Sequence, residues 1–251
     1  MFFATFLTRK ILRKVPEITL FFWIIKLLTT AMGESTSDYL VAHVDPYLAV
    51  IVCGVIFTVS ILLQLFVKRY IATVYWFTVV MVAVFGTMAA DVMHIVLNVP
   101  YWASSSLYAV ILAIIFILWY RIEHTLSIHS INTHRREIFY WATVTATFAM
   151  GTAVGDMTAS TFALGYFTSG ILFAVLFLLP ALLYYRFRLN GIIAFWISYI
   201  LTRPLGASFA DWFGKPYLGG LGLGDGKISL ILTFLIIICV GYLSLSQKKS
   251  K

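Results

Sequence analysis

Four aspartates in this chain stand in one pattern: a tryptophan, nine residues, a glycine, four residues, then the aspartate. The pattern occurs as Trp23–Gly33–Asp38, Trp76–Gly86–Asp91, Trp141–Gly151–Asp156 and Trp196–Gly206–Asp211. Carboxylates ligate hard and borderline cations and carry exchangeable protons. Asp38, Asp91, Asp156 and Asp211 therefore read as a cation-binding set, joined by Glu34, which directly follows the first motif glycine. His94 lies three residues after Asp91, which on a regular helix puts both on one face. With Arg203 and Lys26 it forms a group of candidate proton-coupling or accessory residues. The competing reading places the aspartates in outer loops or helix caps. Against it, Asp91 lies within an apolar stretch from Ile71 to Pro100, where a carboxylate costs at least ~2.5 kcal/mol on insertion scales.

The elements that must position these residues follow from the same spacing. With seven Trp and sixteen Gly in 251 residues, four coincidences of this kind define an internal repeat. On a continuous helix the Trp and Asp of one copy are about 22 Å apart along the axis and about 60° apart in rotation, so they share a face. The glycine falls on a neighbouring stripe, where a small residue lets helices approach closely. Gly33, Gly86, Gly151 and Gly206 thus read as packing positions. Trp23, Trp76, Trp141 and Trp196 are repeat packing residues too, and stand near cytoplasmic helix starts as an interfacial aromatic belt. The residue before each Asp is small (Ser37, Ala90, Gly155, Ala210), and the first and third copies share a Thr-x-Ala-Met-Gly sequence that hints at two successive duplications.

Composition sets the environment. The chain is 61% hydrophobic, 17% aromatic and 11% charged, with a mean hydropathy of +0.95; a soluble domain carries about 25% charge. This excludes a soluble enzyme, a nucleic-acid binder and a disulfide scaffold, and Cys53 and Cys239 read as buried thiols within apolar runs. Apolar runs and breakers predict eight transmembrane helices, near 16–34, 46–67, 70–92, 103–120, 138–158, 163–185, 190–211 and 228–246. The expected fold is an all-α integral membrane protein, one membrane domain over 1–251. Its four parallel two-helix repeats span about 14–69, 70–121, 136–188 and 190–246 and form a pseudo-fourfold bundle. Odd-numbered helices would line the centre and even-numbered ones pack outside. The charge before the first span resembles a signal peptide, but that span opens the repeat. Of the eighteen Lys and Arg, fourteen fall on one side: Arg9, Lys10, Arg13, Lys14, Lys68, Arg69, Arg121, Arg135, Arg136, Arg186, Arg188, Lys248, Lys249 and Lys251. Lys215 and Lys227 fall on the other, and this asymmetry puts both termini in the cytoplasm.

Other features carry less. His124, His129 and His134 recur every five residues and make no single metal face on a helix. The run from Gly219 to Lys227 lacks the spacing of a phosphate loop and reads as a flexible outer loop. No nucleotide site, nucleophile elbow, zinc-protease signature or dinucleotide fingerprint is present.

The stretches KVPEITLFFWIIK (14–26), TLSIHSINTHRREIFYW (125–141), FAMGTAVGD (148–156) and ILTRPLGASFADW (200–212) resemble a bacterial "repeat of unknown function" family of membrane-anchored proteins with four two-helix repeats. The resemblance covers nearly the whole chain. It implies the helical fold and a bacterial inner-membrane location, and no activity. The residues themselves point to membrane transport of a cation, a divalent metal such as manganese being one candidate, coupled to protons. A passive cation channel and a membrane enzyme with a carboxylate-bound metal are the alternatives, beside a purely structural role. No cofactor is required, though a bound metal cation fits. The partners implied are the lipid bilayer, a cation and protons, without nucleic acid, and a homo-oligomer remains open.

Overall fold

Four of the long helices start at a short polar side chain, Thr19, Asp45, Thr133 or Asn190, ahead of an apolar run. The Thr19 hydroxyl accepts from the Phe22 amide at 3.3 Å, Asp45 from Leu48 at 2.9 Å, and Asn190 from Ile192 at 2.9 Å, each satisfying an amide that the first helical turn leaves without a partner. The computed structural model describes residues 14–249, all helix and connection without a strand among them. Eight long helices follow one another: α1 Leu20–His43, α2 Pro46–Phe66, α3 Ala72–Asp91, α4 Tyr101–Glu123, α5 His134–Asp156, α6 Gly165–Phe187, α7 Gly191–Gly214 and α8 Asp225–Lys249. Arg9, Lys10, Arg13 and Lys251 of the charge count lie outside the described residues, as do the side chains of Lys248 and Lys249.

Seven of these helices, α2 to α8, are long and apolar enough to cross a membrane. Helix α1 has the length but not the apolarity expected of the first of eight spans. Its second half, Thr29 to Asp38, is mostly polar, and Thr29, Thr30, Glu34, Ser35 and Ser37 are buried inside the bundle. Polarity that a lipid-facing helix could not carry is tolerated here because it faces protein.

The odd-numbered helices form a closed ring, α1 against α3, α3 against α5, α5 against α7 and α7 against α1. Two chemical relations recur around it. A Cβ on Gly33 would overlap Ala83, one on Gly86 would press on Phe148, one on Gly151 would overlap Arg203, and one on Gly206 would come within 2.1 Å of the Thr30 hydroxyl. Each motif glycine therefore meets the residue three positions before the glycine of the next repeat. The aromatic residue before each Trp likewise meets the Trp of a neighbouring repeat. Ring centroids are 5.7 Å apart for Phe22–Trp76, 5.5 Å for Tyr75–Trp141, 6.3 Å for Tyr140–Trp196 and 5.6 Å for Phe195–Trp23.

This second relation corrects the aromatic-belt reading. Trp76, Trp141 and Trp196 are buried and Trp23 is half-buried, so the repeat tryptophans fill the interior at one end of the ring. The even-numbered helices lie outside and present rows of exposed apolar residues, among them Ile51, Val55 and Leu62 on α2 and Leu230, Phe234 and Ile237 on α8. Each packs chiefly on the inner helix of the following repeat, α2 on α3, α4 on α5, α6 on α7, and α8 back on α1.

Two further expectations change. Helices α3 and α5 run straight into π-helical turns, Val92–Val96 and Met157–Thr161, immediately after Asp91 and Asp156, whereas α1 and α7 continue without one. The glycine-rich run after α7 is not a loose loop. Leu221 donates to the Trp212 carbonyl at 2.6 Å, Leu223 to Phe213 at 2.9 Å and Gly222 to Lys215 at 3.1 Å. Gly219, Gly222 and Gly224 supply the positive φ these turns need. Both cysteines are free thiols.

The glycine contacts generate a test. Gly206→Val should wedge α7 from α1 and cost at least ~1–3 kcal/mol, the usual range for overpacking. Gly241→Val should be nearly neutral, because nothing lies within 4 Å of its position. Thermal unfolding in detergent compares the two, and equal effects would remove the close-approach argument.

Candidate functional site

One residue past each motif glycine the four repeats carry Glu34, Thr87, Thr152 and Ala207. Arg203 reaches into this set from α7. One of its terminal nitrogens, Nη2, lies within hydrogen-bond reach of Glu34 Oε2, of Thr87 Oγ1 at 2.5 Å and of Thr152 Oγ1 at 2.7 Å, and shares its two N–H groups among the three. Each threonine directs its own hydroxyl hydrogen to its helix, Thr87 to the Ala83 carbonyl at 2.9 Å and Thr152 to Phe148 at 3.1 Å. That leaves a lone pair for the guanidinium. Arg203 is 1% exposed, and its Nε and Nη1 have no hydrogen-bond partner among the described residues. A single nitrogen thus sits among the polar side chains of three repeats while the other two donors are left over.

Toward the Trp end, Lys26 is also 1% exposed. Among the described residues it pairs with no carboxylate. Its Nζ lies over the Phe148 ring at 4.0 Å from the centroid and over Tyr199 at 4.2 Å, an aromatic substitute for part of the lost hydration. Arg203 shares the Phe148 ring at 5.7 Å. Below these residues the Phe22, Tyr75, Tyr140 and Phe195 layer and the tryptophans fill the axis, and the Tyr75 and Tyr140 hydroxyls bond to each other. At the same end Lys14 is buried against Glu137, whose other oxygen accepts from Gln64 at 3.0 Å.

Toward the Asp end the axis opens into a cavity of about 410 Å³. Glu34, Asp38, Asp91, Asp156 and Asp225 line it with Lys215. Lys215 Nζ bridges Asp38 Oδ2 at 2.9 Å and Asp211 Oδ1 at 3.0 Å. Burial works against the charge of this ammonium, but Asp211 and Asp38 more than offset it and raise its pKa well above the ordinary lysine value. One oxygen each from Glu34, Asp156 and Asp211 lies within 4.8 Å of the others. Asp38 and Asp91 stand outside that trio, so the carboxylates surround a cavity rather than a single point. Among the described residues Asp91 and Asp156 have no side-chain hydrogen bond or ion pair.

His94 is not brought to the acids. Its Nδ1 faces the Val99 carbonyl at 2.9 Å, its Nε2 the Ser104 hydroxyl at 3.3 Å, and its ring stacks on Tyr101 at 4.1 Å. The π-helical turn after Asp91 winds i→i+5 and rotates the histidine off the face that α-helical counting assigns. Sequence reasoning also missed Lys215, which reads as a loop charge, and the Thr87–Thr152 pair. The signal for the threonines was present: the position after the motif glycine is polar in three of four copies.

Fold and site together define a class: a ring of four two-helix repeats around a polar axis, jacketed by helices of membrane-spanning character. The chain belongs to the Repeat of Unknown Function family (DUF347), whose profile matches four times, over residues 21–70, 74–125, 139–190 and 194–249. No curated protein and no solved structure matches it.

The Arg203–Glu34 pair can be tested directly. Breaking a buried ion pair by removing one partner costs about 3–5 kcal/mol, whereas replacing both with apolar groups is often neutral. Glu34→Met should therefore destabilise the protein strongly, and Glu34→Met with Arg203→Met should recover most of the loss in thermal unfolding. A double variant no more stable than the single one would contradict the pairing.

Proposed function

We propose that this chain is a multi-pass protein of the bacterial inner membrane that moves a cation through the carboxylate cavity by exchange with protons. The charge asymmetry of the sequence supports cytoplasmic termini, with the Asp end of the ring on the outer side. The observation that carries the reading is that the protein's own cations already sit on its carboxylates, Arg203 on Glu34 and Lys215 on Asp38 and Asp211. An incoming cation can replace them charge for charge, so passage through the Glu34 layer need not leave a buried carboxylate uncompensated. Asp91 and Asp156, without such partners, are the first landing points. Crowded carboxylates also share protons as a coupled set, which gives cation binding and proton release a common seat.

Closure of the axis below the cavity favours a carrier over a channel. Arg203, Lys26, Phe148, Tyr199 and the aromatic layer fill the axis below the acidic chamber, whereas a selective pore needs a continuous path. The reading covers metal ions and organic cations alike.

Binding to the folded state raises stability by mass action, so a cation that fits the cavity should raise the unfolding temperature of purified protein. Asp156→Asn should weaken cation binding about tenfold or more and leave the protein folded. In proteoliposomes a pH gradient should drive cation flux. Flux indifferent to pH at clamped voltage would replace the carrier with a channel, and an unchanged ion response in Asp156→Asn would remove the site.

A further inference from the structure

The cavity at the Asp end already holds one ligand, and that ligand is an alkylammonium. Lys215 extends from the loop after α7 and seats its ammonium between Asp38 at 2.9 Å and Asp211 at 3.0 Å, with the Tyr166 ring 5.7 Å away. The lysine backbone is fixed independently. Its amide donates to the Asp211 carbonyl at 2.9 Å and its carbonyl accepts from Gly222 at 3.1 Å, so only the side chain needs to leave for the seat to be free.

Three observations describe what else fits there. The volume of about 410 Å³ belongs to the range of sites for small organic molecules, about 300–1,000 Å³. The wall between the acids is built from Tyr101, Tyr166 and Tyr217 with Val41 and Ala42, surfaces that suit methylene groups and the faces of ammonium ions. Asp91 and Asp156 line the same cavity, apart from the pair that Lys215 occupies, with no partner among the described residues. A bare divalent metal is served less well. It needs several oxygens converging on one point, and of the converging trio Glu34 is engaged by Arg203 and Asp211 by Lys215.

Resting on the cation-carrier reading, we infer that the cation is a linear organic diamine or polyamine. One ammonium takes the place of Lys215 Nζ between Asp38 and Asp211, and a second reaches Asp91 and Asp156 across the tyrosine wall. Lys215 is then a tethered competitor that keeps the seat neutralised until an amine displaces it. Its charge makes the empty cavity stable and weakens single-ammonium ligands, which gain too little from one carboxylate pair to expel it.

The test is the thermal midpoint of the purified full chain in detergent, titrated with 1,4-diaminobutane, spermidine, methylammonium and manganese(II) chloride at matched ionic strength. The two polyvalent amines should give saturable upward shifts at concentrations where methylammonium and manganese give none. Lys215→Met should tighten diamine binding about tenfold or more, a change of at least ~1.4 kcal/mol, and should let methylammonium bind. Asp156→Asn and Asp91→Asn should each weaken the diamine by a similar factor, and whichever variant stays monodisperse on size exclusion is the one read. A saturable manganese response without an amine response overturns the amine assignment and leaves the cation reading in place. No response to any cation removes the cation reading itself. Weaker diamine binding in a monodisperse Lys215→Met protein makes Lys215 part of the seat rather than its competitor and overturns the displacement geometry.

Discussion

Everything at the centre of this protein depends on how closely four helices approach one another. Glycine in a helix interior is about 0.8–1 kcal/mol less favourable than alanine, yet each inner helix carries the motif glycine in its second half. The contacts explain this. Cβ atoms at Gly33, Gly151 and Gly206 would overlap the next inner helix, and one at Gly86 would press on Phe148. At this separation a single guanidinium nitrogen can touch side chains from three other helices at once. A wider ring would turn the same residues into separate, water-filled contacts.

The ring is fourfold in its frame and asymmetric in its contents. The glycine and Trp relations repeat from helix to helix, but the axis carries one arginine, one lysine and one glutamate at positions whose counterparts are threonine, valine, alanine or aromatic residues. Fourfold identity would place four like charges on the axis, which a low-dielectric interior does not tolerate. A single Arg203–Glu34 pair supported by two hydroxyls solves that problem. The π-helical turns after Asp91 and Asp156 distinguish the middle two repeats from the outer two at the mouth of the cavity. That pairing differs from the one suggested by the shared Thr-x-Ala-Met-Gly sequence.

The frame was largely legible in the sequence, because spacing is a geometric statement. A tryptophan, glycine and aspartate at fixed intervals specify one helix face, and four copies specify inner and outer helices. Side-chain environments were less legible. An amphipathic tryptophan near a helix start suits a lipid interface and an aromatic core equally well, and only the neighbour relation places Trp76, Trp141 and Trp196 inside. His94 was lost to a π-helical turn that composition does not announce. Lys215 was hidden by its position just past the end of a helix, where a charge normally meets water. The glycine-rich run misled because glycine serves loose chains and tightly bonded positive-φ turns alike. Lys26 sits over aromatic rings rather than a carboxylate, an arrangement that charge counting does not reveal.

The overlap of outer helices with the next repeat has a consequence for how the protein is made. Since α2 covers α3, α4 covers α5 and α6 covers α7, each repeat acquires its jacket as soon as the next inner helix is synthesised behind it. The exception is α1, the most polar of the inner helices, whose cover is α8. From the moment it is synthesised until the last helix is in place, α1 lacks its outer cover, and its polar residues have an open flank where α8 will pack. Biogenesis is therefore cyclic in space but linear in time, and the final helix is the latch that turns an open arc into a closed ring.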